Sequence, residues 1–163
     1  MTEMKSRRRV NHVPRAALLA MIILTVVVSV YRLTLAPKRT ELDTRAALWA
    51  VASAFNENYE HNDVGAVYDR WDVASQSIIS RSDYVHRHEA CPTTPGAATT
   101  REVLRGPGGY WKVVYAISGV TNTDYWHFVS GQWRFNLARS NPAAVHLYRE
   151  PFAAYAKDIG CTP

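Results

Sequence analysis

The sequence predicts an α+β protein, with an N-terminal transmembrane helix followed by a domain of about three helices packed on a bent antiparallel sheet. Residues 16–36 form a predominantly apolar segment. Apolar residues then recur at helical spacing between about residues 41 and 89, and from about Thr99 the pattern changes to the alternation typical of strands. The 163 residues suffice for one ordinary domain beyond the apolar segment.

The apolar segment 16–36 contains no acidic residue and a single basic one, Arg32. As a helix rising about 1.5 Å per residue it reaches roughly 31 Å, the thickness of a bilayer's hydrocarbon core. Five basic residues within positions 1–15 precede it, and such a short basic flank stays in the cytoplasm. A cleaved signal peptide is the alternative, but Pro37 directly after the small-residue site would hinder a peptidase.

These features divide the chain into four parts. We predict a cytoplasmic basic tail over 1–15, a transmembrane signal anchor over 16–36, a linker over 37–44 and an extracytoplasmic domain over 45–163. The protein is then a single-pass protein of the cell membrane that contacts lipid through residues 16–36.

The formal net charge of +5 is unevenly distributed. The first 40 residues carry eight basic residues and one acidic residue, a net charge of +7. The remainder carries eleven basic and thirteen acidic residues, a net charge of −2. The basic charge therefore belongs to the anchor, and the domain lacks the positive field that nucleic-acid binding requires.

Cys91 and Cys161 are the two cysteines of the chain, and both belong to the part predicted to lie outside the cytoplasm. An even cysteine count in an oxidising compartment predicts a disulfide, although two separate buried thiols are the alternative. A bridge across some 70 residues would stabilise the fold by about 4 kcal/mol in the chain-entropy model.

Three helices are predicted before the sheet. The first begins near residues 41–44 and runs to about Glu60, with its apolar residues at helical spacing. A second, short helix covers 63–71, and a third covers 81–89 behind Ser80 as its N-cap.

Alternating apolar and polar residues predict four strands, with a fifth short strand as a weaker candidate. The strands cover 101–105, 110–118, 123–129 and 132–139, and the candidate covers 145–148.

The segment from Tyr125 to Leu137 predicts a hairpin with a two-residue Ser130-Gly131 loop. Placing Val129 opposite Gln132 brings Phe128 to Trp133 and Trp126 to Phe135 on one side of the sheet. That aromatic side, continued by alternate residues of the strand from Trp111 to Ile117, is predicted to form the core. The other side pairs His127 with Arg134 and Tyr125 with Asn136.

Helices followed by an antiparallel sheet, the segment VYDRW at 67–71 and the late W-x-F-x-L strand at 133–137 resemble the nuclear transport factor 2-like superfamily. The resemblance covers about residues 45–148. It implies a cone-like α+β domain, a fold shared by ketosteroid isomerases, polyketide cyclases and many non-enzymatic domains.

The layout of basic tail, single span and outer domain also resembles the bitopic assembly factors of type IV secretion and conjugation systems. It is similar as well to the accessory membrane proteins of mammalian-cell-entry lipid importers. In both groups the resemblance implies a domain that acts by contacting partners.

An isomerase-like site needs a carboxylate or a Tyr–Asp pair that points into the cone. The strands offer Glu102 and Asp124, and we place Asp124 at a strand edge with neither carboxyl clearly inward. The expectation is therefore that the domain is not an enzyme and needs no cofactor.

Histidines provide two further candidates. A dehydratase-like arrangement can be drawn from His61, Asp63, Tyr68 and His127, but His127 falls on the face opposite the aromatic core. His86 and His88 with Glu89 suggest a metal, yet residues two apart on a helix point away from each other, so no metal site is predicted.

The leading hypothesis is a non-enzymatic module that contacts a protein partner, or a second copy of itself, through the outer sheet face. Its mixture of small apolar residues with Tyr, His and Arg suits an interface, although a solvated face is the alternative. The contact residues would be Tyr125, His127, Arg134 and Asn136.

The second hypothesis is a small-molecule-binding or isomerase-like cone with a pocket under the aromatic side of the sheet. A deep cavity holding a carboxylate with a shifted pKa would favour it, and a core filled by rings would exclude it. The pocket residues would be Trp111, Tyr115, Trp126 and Trp133.

Overall fold

The computed structural model describes residues 40–92 and 96–161. Within these ranges the chain is α+β, with seven helices and a four-stranded antiparallel sheet. The predicted tail, the anchor at 16–36 and the first residues of the linker lie outside them. None of the helices in the described ranges combines the length and hydrophobicity that a bilayer crossing requires.

Four helices precede the sheet, and each follows a side chain that caps it. Each cap accepts a hydrogen bond from the backbone N–H three residues later, which satisfies an otherwise unpaired donor. The third of these helices has only four residues, too few to show a hydrophobic period, and it was not predicted. The helices are α1 (Arg45–Glu60), α2 (Val64–Asp69), α3 (Val73–Gln76) and α4 (Arg81–Ala90), capped by Thr44, Asp63, Asp72 and Ser80.

The four strands form an antiparallel meander in the order β1-β2-β3-β4. The pairing of β1 with β2 shifts between Thr100 and Glu102, an irregularity of the kind that bends a strand. The strands are β1 (Ala98–Arg105), β2 (Trp111–Ile117), β3 (Val120–Val129) and β4 (Gln132–Phe135).

The predicted hairpin register is confirmed, because Trp126 pairs with Phe135, Phe128 with Trp133 and Val129 with Gln132. Ser130 and Gly131 both have positive φ, 50° and 75°, which is the type I′ geometry that matches strand twist. On the core side of the sheet, the Phe55 ring of α1 packs edge-on against Trp126 at 5.1 Å between ring centroids.

The C-terminal part was predicted wrongly. Strand β4 ends at Phe135 rather than 139, and the candidate strand 145–148 lies within a helix. Asn136 and Asn141 cause these differences, because their side chains cap two successive helices. Seven helices are therefore described where about three were predicted, the last being α5 (Leu137–Ser140), α6 (Pro142–Arg149) and α7 (Phe152–Asp158).

The predicted disulfide between Cys91 and Cys161 is confirmed. It joins the C-terminal cap of α4 to the residues that follow α7. The Arg87 guanidinium reinforces this closure by donating to the carbonyls of Leu147 and Glu150 at 3.2 and 2.6 Å. As a result α4 holds α6, and α6 forms one wall of the cavity described below.

Candidate functional site

A cavity of about 220 Å³ lies between the core side of the sheet and helices α1 and α6. Phe55, Asn56 and Tyr59 contribute from α1, while Asn141, Ala144 and Tyr148 contribute from the cap and body of α6. The cavity is thus enclosed by segments that are far apart in sequence. It is lined by Phe55, Asn56, Tyr59, Glu60, Trp71, Gly96, Ala98, Tyr115, Ile117, Asp124, Phe135, Leu137, Asn141, Ala144 and Tyr148.

A carboxyl group and a phenol meet on the sheet wall of this cavity. Asp124 of β3 pairs with Val113 of β2, which places it diagonally next to Tyr115 on the same face. The Tyr115 hydroxyl donates to Asp124 Oδ1 at 3.4 Å. Asp124 is 7% exposed, although its residue type is normally exposed.

Burial changes the acidity of both groups. It raises the pKa of Asp124 to about 7, because the charged form loses its hydration, and the Tyr115 hydrogen bond opposes this only in part. Burial also raises the pKa of Tyr115, and the neighbouring Asp124 raises it further. A carboxyl in this state exchanges its proton near neutral pH.

The prediction that Asp124 lies at a strand edge without pointing inward was wrong. Strand β3 begins at Val120, so Asp124 lies near its middle. The hairpin register already contained the signal, because Asp124 precedes Trp126 by two residues and therefore shares its face. Its partner Tyr115 lies on the same face of β2, so the pair could have been found from the register alone.

The helical wall carries a second polar group built on Tyr148. His88 of α4 lies with Nε2 at 3.2 Å from the Tyr148 hydroxyl, and the Tyr84 hydroxyl donates to that of Tyr59 at 3.5 Å. Burial lowers the pKa of His88 to about 4, so the imidazole is neutral at pH 7. Burial also raises the pKa of Tyr148 and Tyr84 well above the ordinary range.

The charge of the lining is one-sided. Among the described residues that line the cavity, Asp124 and the exposed Glu60 are the acids, and there is no Lys, Arg or His. Two lining residues also hold buried N–H groups that find no acceptor within the described part of the chain, Asn56 Nδ2 and Trp71 Nε1.

Of the four predicted pocket residues, Tyr115 lines the cavity. The three tryptophans are buried in the solid part of the core. Trp111 and Trp133 meet edge to face at 5.7 Å, and Trp126 packs on Phe135 at 5.6 Å. Aromatic rings therefore fill the core around the three tryptophans, and the cavity lies in another part of the core, beside Tyr115 and Asp124.

Three of the four predicted partner-contact residues on the outer face lie against polar groups of their own chain. His127 Nε2 lies 3.2 Å from Asp72 Oδ2, the same oxygen that accepts from Asn136 Nδ2 at 2.6 Å. The Arg134 guanidinium donates to the Asp69 carbonyl at 2.7 Å. Asp72, which sequence reasoning did not single out, thus joins this face to the start of α3.

An open cleft of about 370 Å³ remains on that side. His127, Arg134 and Asn136 line it together with Tyr110, whose ring stacks on His127 at 4.9 Å, whereas the predicted contact residue Tyr125 does not. Val73 stands at its margin with 83% of its surface exposed.

The other candidates do not converge. Glu102 is exposed on β1, the Tyr68 hydroxyl donates to the Ile79 carbonyl, and His61 Nδ1 donates to the Glu57 carbonyl. Asp63 caps α2. Within the two described ranges, no group of three or more His, Cys, Asp or Glu side chains could hold a metal ion.

Comparison of the chain with known protein families, with curated proteins and with solved structures found no match.

Proposed function

We propose that the domain binds a small organic molecule in the cavity beneath the sheet. The observation that carries this proposal is the Asp124–Tyr115 pair on an otherwise largely apolar wall. Burying a carboxyl without a cation costs free energy, so a stable core would hold an apolar residue there. Strongly shifted groups in cavities mark functional sites, and a few polar groups in an apolar cavity orient a ligand.

Binding is proposed rather than catalysis because the cavity offers one buried carboxyl. Tyr115 and Asp124 form the Tyr–Asp pair that an isomerase-like site also requires, but among the described lining residues no second buried carboxyl joins them, because the other lining acid, Glu60, is exposed. Tyr115 retains its proton because its pKa is raised. The pair can therefore hold a hydrogen-bonding or charged ligand in place.

The resemblance to the nuclear transport factor 2-like superfamily belongs to this proposal. Helices before a four-stranded antiparallel meander, and a cavity beneath the sheet, are compatible with such a cone. We further propose that residues 16–36 anchor the protein in the membrane with the domain outside the cytoplasm. The Cys91–Cys161 disulfide supports this location, because such bonds persist in oxidising compartments.

The proposal is tested by filling the cavity. Ala144 of α6 lines it, whereas the adjacent Ala143 is exposed, so the two positions form a matched pair. The wild-type chain, purified from its native cells and examined by native mass spectrometry, is expected to carry a bound small-molecule mass. Ala144→Phe is expected to lose that mass, and Ala143→Phe to retain it.

A bound mass that survives in Ala144→Phe would place the ligand elsewhere. Wild-type protein without any bound mass, combined with no binding from a panel of small neutral and charged compounds, would reject the proposal.

Contact with a protein partner through the outer face is the second candidate function. The observation that favours it is the cleft beside Tyr110 and His127, with Val73 exposed at its margin. The same purification distinguishes the two candidates, since a retained protein chain would support partner contact and a retained small molecule would support binding in the cavity.

A further inference from the structure

Aromatic rings surround the cavity from several elements of the fold. Phe55 and Phe135 stack at 5.0 Å between ring centroids, and rings also come from the neighbouring helices and from β2. Each ring face carries a partial negative charge and attracts a cation within about 6 Å of its centroid. Six of the lining residues are aromatic: Phe55, Tyr59, Trp71, Tyr115, Phe135 and Tyr148.

The charges of the residues that line the cavity also favour a cationic ligand. Asp124 is its buried acid and Glu60 its exposed acid, and no basic side chain of the described residues lines the cavity. An anionic ligand would meet a carboxylate and aromatic rings with no positive charge to neutralise it, and its donors would be the uncharged Asn56 Nδ2 and Trp71 Nε1. A positive ligand would supply the partner that a buried carboxylate otherwise lacks.

We propose that this cavity selects a substituted ammonium ion over neutral and anionic molecules of the same shape. The inference deepens the proposed function and rests on it. Asp124 would face the cationic end, and the rings would cover its alkyl substituents. Cages of aromatic residues with a carboxylate suit such ions, because the positive charge is spread over groups that cannot all be hydrogen-bonded.

The affinity should depend on pH with a definite sign. Asp124 must be ionised to pair with a cation, so binding strengthens as the pH rises through about 7 and releases the Asp124 proton. A neutral ligand that accepts a hydrogen bond from the protonated carboxyl would show the opposite dependence.

Asp124 is the group to which we assign the pH dependence of the affinity, and the other titratable groups around it are as follows. Tyr115 faces it from β2, Tyr59 and the exposed Glu60 line the cavity from α1, and Tyr148 lines it from α6. Burial raises the pKa of Tyr115 and Tyr148, so both keep their protons. His88 behind Tyr148 has its pKa lowered to about 4 and stays neutral in this range.

Two sources could present an ammonium group, a free amine or the headgroup of a zwitterionic lipid. They differ in the phosphate beside the ammonium in the lipid. The acidic lining without Lys or Arg disfavours phosphate, so we expect the free ammonium ion to bind more tightly than the same ion with a phosphate attached.

The experiment uses the full-length chain in an uncharged maltoside detergent and ligand-detected NMR. Choline is compared with 3,3-dimethylbutan-1-ol, which has the same shape with carbon in place of the charged nitrogen. Phosphocholine and 3,3-dimethylbutanoate supply the phosphate and anionic arms. At about pH 8.5, choline is expected to bind about tenfold more tightly than the neutral alcohol, with phosphocholine and the anion weaker than choline.

Asp124→Asn is expected to reduce the preference for choline to about threefold or less, because only the rings remain. Glu102→Gln is the matched control, since Glu102 is an exposed acid of the same sheet outside the cavity, and it should keep the full preference. The wild-type preference is also expected to fall between about pH 8.5 and pH 5.5, a measurement that needs no variant.

Equal or weaker binding of choline relative to the alcohol at both pH values would overturn the inference while leaving the binding function intact. Tighter binding of phosphocholine than of choline would reject the free ammonium ion in favour of a lipid headgroup. Failure of every compound to bind would overturn the inference, and the bound mass sought by native mass spectrometry would then test the proposed function separately.

Discussion

At the scale of single residues, two buried titratable groups act on stability in opposite directions. Burial raises the pKa of Asp124 to about 7 and lowers that of His88 to about 4. Folding therefore favours the neutral form of each, but one neutral form carries the proton and the other does not. The two effects partly cancel in the intact protein, so variants are needed to reveal them.

For Asp124 the folded state binds the proton more tightly than the unfolded state, whose pKa is near 4. The stability that the folded state gains from this tighter proton binding is fully present below a pH near 4, and it is lost as the pH rises to about 7. We therefore predict that Asp124→Asn gains roughly 2–4 kcal/mol in unfolding free energy relative to wild type between about pH 4 and pH 8. Urea denaturation at several pH values measures this difference.

His88 serves as the internal control, because its effect on the unfolding free energy changes with pH in the opposite direction. Its unfolded state binds the proton more tightly between about pH 4 and 6.5, so the wild type gains stability as the pH rises through that window. His88→Gln should lose roughly 2–3 kcal/mol relative to wild type over the same window. Parallel profiles for wild type and both variants would show that neither group has the protonation described here.

At the scale of elements, the sheet uses the same Ser-Gly turn twice. Ser118-Gly119 joins β2 to β3, and Ser130-Gly131 joins β3 to β4, with positive φ at all four residues. The surroundings of the two glycines differ. A Cβ on Gly119 would meet nothing within 4 Å, whereas one on Gly131 would lie 3.1 Å from the Thr40 methyl group.

Comparison of alanine substitutions at Gly119 and Gly131 measures how much the contact between Thr40 and the second turn contributes to stability. Gly119→Ala should lose about 1 kcal/mol, because an L-residue at positive φ is strained. Gly131→Ala should lose more, by about 0.5–1 kcal/mol, because Thr40 must move and the Glu41 N–H also donates to the Gly131 carbonyl. Thermal unfolding of both variants measures the difference, and equal losses would show that this contact contributes no stability.

The residues that enter the domain are tied to β4 as well as to its turn. The Glu41 carboxylate accepts from the Trp133 N–H and pairs with Arg70, both at 2.6 Å, and the Leu42 carbonyl accepts from Trp133 Nε1 at 3.0 Å. Residues predicted as part of a linker over 37–44 therefore cover the edge strand β4. Covering an edge in this way satisfies backbone groups that would otherwise be open to pairing with another chain.

At the scale of the whole molecule, the disulfide closes the C-terminal helices onto the first half of the domain. Cys91 follows α4, and Cys161 follows α7, with 70 residues between them. The loop contains the whole sheet as well as α6, which carries the cavity residues Ala144 and Tyr148.

Removing this bond is predicted to destabilise the fold and to open the cavity. A Cys91→Ala, Cys161→Ala double variant should lose about 3–4 kcal/mol in unfolding free energy, the chain-entropy value for a loop of this length less any relaxation. It should also bind the ligand that we propose for the cavity more weakly. Urea denaturation with and without reductant gives the test. Reductant should lower the unfolding free energy of the wild type and leave that of the double variant unchanged. A wild type insensitive to reductant would contradict this role.

The sequence was sufficient where the cause is local. Alternating residues around Ser130-Gly131 predicted the hairpin register, because a shift of one residue would exchange the two faces. Ser80 predicted the start of α4 for the same kind of reason, since a cap and the turn that it satisfies are neighbours in sequence. The C-terminal helices were missed because Asn136 and Asn141 were not recognised as caps.

Local pattern therefore accounts for the α+β class and the aromatic core face, and the cysteine count accounts for the disulfide, because the two cysteines have no alternative partner in the chain. The cavity could not be predicted from local sequence pattern. Whether facing rings leave a void depends on how α1, β3 and α6 pack, and those segments are distant in sequence. Tertiary packing also decides the chemistry of Asp124, because a carboxyl acquires a pKa near 7 only when its surroundings remove the water that would stabilise its charge.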